Sequence, residues 1–376
     1  MRRLCWYRQA FVIFFLSIPL TSVRAGDRIP SARQCGTEIL SKIQTALYMP
    51  RKSLYAEQFG SGKLSPSWTW DASMQLGALC SAARIEPEAY LPQVRAYAIA
   101  LRSYRTNTHD RPGFDVNPGP KNPDRYYDDN AWICLALLET YGLTRDPKDL
   151  AYASDAYRFA LSGEDASNLD GGIYWHEDQT KSKNACSSGP VMLDALAFYD
   201  ITREAKHLDT AKRLYDWTCS HLQDTDGLVF DSIGVSDAKV NKSKFTYNTA
   251  TLIRAACGLY RATHEKKYLD EARRVAKASE KRFVRTEDGI IAGAGKLGVK
   301  LLEAYIDLYE TDHDDHWKAV VTRCLISMHS HRSEAGWYPT ALEDVPPPAS
   351  KPVRLIDQAA PARAFWFAAA HGIDLQ

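Results

Sequence analysis

The 376-residue chain lacks the features that mark several large classes of protein. It carries 47 basic and 46 acidic residues, so it has no basic excess of the kind that nucleic-acid-binding proteins need. It has no C-x-x-C spacing, which argues against a zinc site. It also has no phosphate-binding glycine loop, no Gly-x-Ser-x-Gly motif and no His-Glu-x-x-His motif. We therefore expect neither a metal nor a cofactor.

Long apolar runs are also scarce. Ala10 to Leu20 is an apolar stretch of 11 residues, too short to cross a bilayer as a helix. Arginines before it and small residues ending at Ala25 are typical of a secretory signal. We predict a cleaved signal at 1–25 and a secreted or periplasmic mature chain, 26–376, with an uncleaved anchor helix as the alternative. Loss of four arginines leaves 43 basic and 46 acidic residues, a net charge of −3. We expect a monomer with no membrane span after cleavage.

Eight cysteines are present, and one of them, Cys5, lies in the predicted signal. An exported protein can form disulfides, and Cys35 or Cys186 could join one, although the sequence does not give a pairing. The other five lie in helical apolar patterns and are predicted to be buried thiols: Cys80, Cys134, Cys219, Cys257 and Cys324.

A recurring Tyr-x-x-Thr motif divides the chain into similar units. It occurs at Tyr141, Tyr199 and Tyr260, with a weaker copy at Tyr309, at spacings of 58, 61 and 49 residues. Each copy ends one apolar helical run and precedes another, which indicates helical hairpins. Twelve helices and no strands are predicted, forming an α-solenoid or, as we favour, a single-domain (α/α)6 barrel of six antiparallel hairpins. The predicted helices are Ala32–Tyr48, Trp70–Arg84, Glu88–Tyr104, one beginning at Asp128, Asp149–Leu161, Ser187–Thr202, His207–Leu222, Asn248–Thr263, Tyr268–Phe283, Lys296–Tyr309, His316–Met328 and Ala360–His371.

Short and long connections alternate between these helices. Antiparallel packing places all short turns on one face of the barrel and all long loops on the other, and loops carry binding function more often than turns. Asp128 and Asp129 begin a helix directly after the loop 107–127, so we expect them on the long-loop face. The other adjacent pair, Asp314 and Asp315, falls in a short turn and is interpreted as a solvated acidic turn.

Adjacent aspartates at a helix start could be no more than helix-capping acids. Their position among aromatic and acidic loop residues favours a glycan site instead. Glycosidases use two carboxyl groups, about 5–5.5 Å apart for retention and about 6.5–9.5 Å apart for inversion. Neighbouring residues could reach the shorter separation, and their repulsion would raise the pKa of one of them. The pair alone does not say which aspartate keeps the proton.

Four segments of the chain, Asp128–Trp132, Gly171–Trp175, Gly227–Asp231 and Phe245–Asn248, form an ordered set of motifs. In order and spacing they resemble the motifs of glycoside hydrolase family 76, the endo-α-1,6-mannanase family. The resemblance implies a retaining enzyme that cleaves α-1,6-mannosidic linkages in α-mannan, with Asp128 as nucleophile and Asp129 as general acid/base. Asp231 would be a sugar-contacting carboxylate. The remaining expected substrate contacts are Trp175, Tyr247, Asn248, Tyr127 and Trp70.

Two other functions are compatible with the same residues. A cell-wall transglycosidase would form the same covalent intermediate and pass the sugar to another sugar. A non-catalytic (α/α)6 glycan-binding protein would bind the polysaccharide without turning it over.

Overall fold

The computed structural model describes residues 29–60, 62–293, 295–341 and 352–376, and the predicted signal lies outside these residues. Twelve α-helices occur within them, at positions close to the predicted ones. Their bounds are α1 Ala32–Ala46, α2 Thr69–Ile85, α3 Pro87–Leu101, α4 Tyr127–Thr144, α5 Pro147–Leu161, α6 Ala185–Thr202, α7 Ala205–His221, α8 Thr246–Thr263, α9 Lys266–Phe283, α10 Gly295–Asp312, α11 Asp315–Ser330 and α12 Leu355–Ala370.

Six of these helices form a closed inner ring. Helices α2, α4, α6, α8, α10 and α12 each pack against the next, and α12 also packs against α2, which completes the circle. Each outer helix packs on an inner one, and α1 covers α12. This closure confirms the (α/α)6 barrel and excludes the open solenoid. None of the helices in the described residues combines the length and apolar character needed to span a bilayer.

The two layers differ in how their helices bury apolar side chains. The outer helix α9 buries one stripe at helical spacing, including Leu269, Ala272 and Val275, and exposes basic and acidic residues on its other face. The inner helix α12 is buried on all sides from Leu355 to Ala368, because it has neighbours all round. It begins five residues before the predicted start at Ala360, since Pro361 lies within the helix rather than at its first turn.

The Tyr-x-x-Thr motif ends the inner helices. The residue after the threonine adopts a left-handed conformation, as at Arg145 with φ of +55°, and its N–H donates to the carbonyl of the motif tyrosine, Tyr141, at 2.9 Å. The Thr144 hydroxyl then accepts the N–H of Asp146 at 3.2 Å. The same tyrosine carbonyl contact recurs at Tyr199, at Tyr260 and at Tyr309. The repeated motif therefore caps four of the six inner helices, α4, α6, α8 and α10, before the short turn.

The prediction that the chain has no strands was wrong, because ten short strands occur in the described residues, in and beside the long loops. Four of them form an antiparallel sheet in the order β6-β7-β8-β9, which joins the third and fourth long loops. These strands have two to six residues, and most are too short for an alternation of hydrophobic and polar residues to mark them. Their bounds are β1 Tyr48–Met49, β2 Leu54–Tyr55, β3 Gln58–Phe59, β4 Arg105–Thr108, β5 Arg111–Phe114, β6 Tyr174–His176, β7 Gln179–Asn184, β8 Phe230–Gly234, β9 Val240–Lys244 and β10 Val353–Arg354.

All seven cysteines in the described residues are free thiols. Four of the five predicted buried thiols are buried, and Cys219 is half-buried. The suggestion that Cys35 or Cys186 joins a disulfide was wrong. Cys35 Sγ lies 3.3 Å from His329 Nδ1, and Cys186 lies beside Asp128, so each sulfur faces a polar side chain.

Arg363 on α12 joins three other inner helices in the middle of the barrel. Its guanidinium donates to both carboxylate oxygens of Glu139 on α4, at 2.7 and 2.8 Å, and to Glu303 on α10 at 3.0 Å. It also donates to the carbonyl of Gly77 on α2 at 2.7 Å. Because Arg363 is almost fully buried, these bonds replace its hydration and hold α12 between its neighbours.

Glu303 is the second centre of this buried charge network. It accepts hydrogen bonds from Arg254 on α8 at 2.7 Å, from Lys300 at 3.2 Å and from Arg363. Burial alone would raise the pKa of Glu303, but the three cations outweigh burial and hold the pKa well below its ordinary value. The carboxylate is therefore charged in the folded chain, and five of the six inner helices share the network.

Replacing the central arginine tests this network. In Arg363→Met the carboxylates of Glu139 and Glu303 stay buried with too few donors, so the free energy of unfolding should fall by about 3–5 kcal/mol. The control Asp200→Asn breaks the exposed pair with Arg203, whose side chains are 65 and 68% exposed, and should cost less than about 1 kcal/mol. Urea denaturation followed by circular dichroism measures both. Equal losses would show that the network does not hold the ring.

Candidate active site

The inner helices all begin on the long-loop face, because a long connection precedes each of them. Their second and third residues therefore surround the mouth of the barrel, where unpaired N–H groups favour negative charge. Most predicted site residues occupy these two positions. The second and third residues are Trp70 and Asp71 in α2, Asp128 and Asp129 in α4, Cys186 and Ser187 in α6, Tyr247 and Asn248 in α8, and Ile356 and Asp357 in α12.

Asn130 fixes the start of α4. Its side-chain oxygen accepts the N–H of Phe114 at 2.6 Å, and its amide donates to the carbonyls of Phe114 and Tyr126, both at 2.8 Å. This fully buried side chain therefore joins the first turn of α4 to strand β5. The two aspartates just before Asn130 are held on a rigid element, which suits catalytic groups.

Asp128 is half-buried and accepts a hydrogen bond from the indole of Trp175, with Nε1 3.1 Å from Oδ2. Burial raises the pKa of Asp128 to about 6. Hydrogen bonds from Trp175, from the N–H of Asp129 and from the Cys186 thiol act in the opposite direction and keep the pKa from rising further. Asp128 therefore loses its proton near neutral pH.

Asp129 is also half-buried, but its surroundings differ. Burial raises its pKa well above the ordinary value, and the negative charges of Asp128, Asp124 and Asp115 raise it further. Unlike Asp128, Asp129 has no hydrogen bond among the causes that set its pKa, and no donor to its carboxyl oxygens occurs in the described part of the chain. Asp129 therefore keeps its proton at a pH where Asp128 is charged. This is the arrangement of one acid and one carboxylate that glycosidases use.

Asp231 lies on strand β8 at the same mouth. Its Oδ2 accepts the amide of Asn241 at 2.9 Å, and burial raises its pKa while Ser232, Asn241 and Asn248 lower it. The charges of both Asp128 and Asp231 act on the hydroxyl of the half-buried Tyr247. The structure thus brings these predicted residues together around Asp128.

The Gly171–Trp175 motif shapes the turn that carries Trp175. Gly172 has a φ of +76°, and a Cβ there would lie 2.3 Å from the ring of Trp217, so only glycine fits. The chain then enters β6, where Tyr174 and His176 point inward and Trp175 points outward, 44% exposed. Because side chains alternate along a strand, the exposed Trp175 lies on the face of β6 that borders the barrel mouth.

Trp70 lies in a different part of the mouth. The ammonium of Lys296 is 4.9 Å from the centre of its ring, a cation–π contact between α10 and α2. Beside it, burial and the neighbouring Glu57 raise the pKa of Asp71 well above its ordinary value. Arg354 reaches Glu57 at 3.1 Å. Trp70 thus belongs to a second polar cluster that does not include Asp128.

The prediction that Tyr127 contacts substrate was wrong. Tyr127 is 4% exposed and its ring stacks on Phe159 of α5, with centroids 5.1 Å apart. As the first residue of α4 it points about 100° away from Asp128, toward the outer helix rather than the mouth. It packs the wall behind the site.

Three neighbours of the aspartate pair were not predicted from the sequence: Cys186, Asp115 and Asp124. Cys186 is the second residue of α6, the position that Asp128 holds in α4, so alignment of the helix starts would have found it. Asp115 accepts the N–H groups of Asn117 at 3.0 Å and Asp124 at 2.6 Å within the second long loop. No sequence pattern indicates that this loop folds back beside Asp129.

The second aspartate pair has the predicted structural role. Asp314 caps α11 on the short-turn face, and its Oδ1 accepts the N–H of His316 at 3.0 Å. The His316 ring lies 2.7 Å from a carboxylate oxygen of Glu280. In the described residues no group of three or more His, Cys, Asp or Glu side chains is placed to hold a metal.

Comparisons with known proteins agree with this geometry. The family described as Glycosyl hydrolase family 76 matches residues 43–297. A GH76 alpha-mannanase of Bacteroides thetaiotaomicron is 27% identical, with a TM-score of 0.86, 91% of this chain and 96% of that chain covered. An inactive variant of an alpha-1,6-mannanase of Salegentibacter, with two adjacent aspartates replaced by alanine and an alpha-1,6-linked mannotetraose bound, is 25% identical, with a TM-score of 0.77, 90% and 99% covered.

Curated relatives match over a shorter stretch. The Mannan endo-1,6-alpha-mannosidase DCW1 of Eremothecium gossypii is 26% identical over 145 residues, which are 34% of this chain and 32% of that protein. The chain thus spans about a third of the length of the curated relatives it matches.

The raised pKa of Asp129 predicts a stability effect. A carboxyl with a higher pKa in the folded than in the unfolded chain destabilises the fold as pH rises from the ordinary value through the raised one. Asp129→Asn should unfold like wild type near pH 4 and be more stable by about 1–2 kcal/mol at pH 8. The control is Asp270→Asn, at an exposed site on α9. Denaturation at several pH values measures the difference, and a pH-independent gap would contradict the assignment.

Proposed function

Because this chain belongs to Glycosyl hydrolase family 76, we propose that it is a retaining glycoside hydrolase that cleaves α-1,6-mannosidic linkages in α-mannan through Asp128 and Asp129. The observation that carries the proposal is the pair itself. Two adjacent carboxyl groups lie at the barrel mouth, and only Asp128 accepts an indole hydrogen bond while Asp129 is surrounded by other acids. Their pKa values are therefore separated in the direction that acid catalysis needs.

In the first half of the proposed reaction, Asp129 gives its proton to the glycosidic oxygen as that bond breaks. The Asp128 carboxylate attacks the anomeric carbon, and a covalent mannosyl ester forms on Asp128. The released sugar leaves with the proton. Asp231, with Tyr247 at the start of α8, is proposed to hold the mannose hydroxyls during this step, and Asn248, which is 1% exposed, is proposed to position Asp231.

In the second half, the roles reverse. Asp129 is now a carboxylate and removes a proton from water, and the water oxygen attacks the anomeric carbon. The ester bond to Asp128 breaks, the sugar leaves with its original configuration, and Asp129 is protonated again. Two displacements at one carbon account for retention.

The proposed substrate rests on the relatives. The Salegentibacter enzyme is named an alpha-1,6-mannanase, and the form that holds alpha-1,6-linked mannotetraose is an inactive variant lacking two adjacent aspartates. Adjacent aspartates on α4 support the same bond specificity here. Export through the segment 1–25, which would bring the enzyme to a mannan outside the cell, is part of the same proposal.

Substrate and mechanism are tested together by incubation with linear α-1,6-mannan and with a branched mannan. We expect shorter α-linked products from the linear polymer, seen by product sizing and by NMR of the first anomer formed. Asp128→Asn should lose at least about 10³-fold in kcat. Release of the β-anomer first, or equal activity of Asp128→Asn, would overturn the proposal. Longer products in the presence of an added acceptor would identify a transglycosidase.

The acid/base role has its own test. In Asp129→Ala, an aryl α-mannoside with a good leaving group should still form the ester, because it needs no proton, whereas mannan should not be cleaved. Azide, which needs no base, should restore turnover and yield the α-mannosyl azide. Asp128→Ala with azide should give the β-azide or nothing. An α-azide from Asp128→Ala would mean that the two roles are exchanged.

The proposed mechanism also predicts the pH dependence of kcat/KM. Activity should rise as Asp128 ionises, with a midpoint near pH 6, and fall at higher pH as Asp129 loses its proton. The rise (the acid limb) and the fall (the basic limb) of the pH profile both report on the pair of aspartates, because the titrations of the two carboxyl groups are coupled. With the aryl mannoside, Asp129→Ala should lose the basic limb and keep the acid limb. Activity that keeps increasing below pH 5 would contradict the mechanism.

A further inference from the structure

The indole of Trp175 makes a side-chain hydrogen bond to Asp128 that has no counterpart at Asp129 in the described residues. Its N–H donates to Asp128 Oδ2 at 3.1 Å. An indole nitrogen can only donate, so this bond is strongest when the oxygen that receives it is charged. Asp129, one residue further along α4, has no such donor within the described ranges.

Trp175 is held in place although its ring is partly exposed. The Tyr126 ring packs against it edge-on, with centroids 4.9 Å apart, and strand β6 is bridged to Tyr126 through His176. His176 is fixed in turn, because its Nδ1 accepts the N–H of Asp178 at 3.0 Å and its Nε2 lies 2.7 Å from Asp124 Oδ1. The indole is therefore prepositioned by the loop that precedes α4.

We propose that Trp175 is a positioning residue for the nucleophile: its indole N–H holds Asp128 as the ionised carboxylate and so decides which aspartate attacks and which carries the proton. The inference rests on the proposed function for its catalytic meaning. It also adds to the role expected for Trp175, which was that of a substrate contact. The exposed ring can still meet a sugar, while the N–H acts on Asp128.

The other titratable groups near Asp128 do not replace this bond. Burial raises the pKa of the Cys186 thiol on α6 and of the Tyr247 hydroxyl on α8 well above neutral, and burial likewise raises that of Tyr126. These three groups are therefore neutral between pH 4 and 8. Two other acids at the mouth titrate near Asp128: Asp129 beside it on α4, and Asp231 on β8, whose charge acts with that of Asp128 on Tyr247 and Cys186. Each carries negative charge only when it has lost its proton.

The indole resonance of Trp175 gives a direct measurement that needs no turnover. In ¹H–¹⁵N spectra of the full mature chain, Trp175→Phe identifies the signal by its loss. We expect this signal to shift with pH as Asp128 titrates, with a midpoint near 6. In Asp128→Asn that step should disappear. A Trp175 indole signal that does not move between pH 4 and 8 would overturn the proposal.

Kinetics of Trp175→Phe separate positioning from sugar stacking. The phenyl ring keeps a surface for sugar but cannot donate, so the acid limb of kcat/KM should move to higher pH. We expect roughly a tenfold loss or more at pH 5, less at pH 8, and KM within about threefold of wild type. Trp175→Ala should add a rise in KM. An unchanged acid limb in Trp175→Phe would contradict the positioning role.

The matched control is Trp337→Phe. Trp337 packs on Phe59 with centroids 5.7 Å apart, in contact with Lys42, and the same replacement there should leave both limbs unchanged. The experiments distinguish failure of the proposed function from failure of the positioning role of Trp175. If wild type cleaves no α-mannan but the Trp175 signal follows Asp128, only the proposed function is lost. If mannan is cleaved and the signal is silent, only the positioning role is lost.

Discussion

Closure of the inner ring is the constraint on which the rest of the structure depends. Helix α12 packs between α10 and α2, and Arg363 and Glu303 bind the ring together through buried charges. Because the ring closes, every inner helix starts on the same face, and the second and third residues of each surround one mouth. Residues far apart in sequence, such as Asp128 and Tyr247, become neighbours for this reason.

The barrel mouth gives two chemically similar side chains different surroundings. Asp128 and Asp129 share burial and a helix N-terminus, so neither of these can decide which one is the acid. The difference comes from the loops: β6 brings an indole donor to Asp128, while the second long loop brings Asp115 and Asp124 toward Asp129. Helix α4 thus holds both aspartates in fixed positions, and the segments between the helices make the electrostatic surroundings of the two carboxyl groups different.

The sequence predicted the helices and the location of the aspartate pair because both depend on local, repeated signals. The Tyr-x-x-Thr motif is a helix cap, and its four copies define the hairpins. Strand pairing in the loops, the packing of Tyr127 on Phe159 of the outer helix α5 and the place of Cys186 beside Asp128 depend on contacts between distant segments. The sequence of a polar strand such as β7 does not predict a strand. Its pairing partners, β6 and β8, come to lie beside it only once α6 and α8 have packed in the barrel.

The central claim is that Asp128 forms a covalent bond with the sugar. A fluorinated α-mannosyl fluoride that reacts quickly and hydrolyses slowly can trap this ester, and peptide mass spectrometry can locate it. The account predicts one added sugar on the peptide that contains Asp128, with fragment ions that assign it to Asp128 and not to Asp129. An adduct on Asp129 or Asp231, or mannan hydrolysis without any trapped ester, would contradict it.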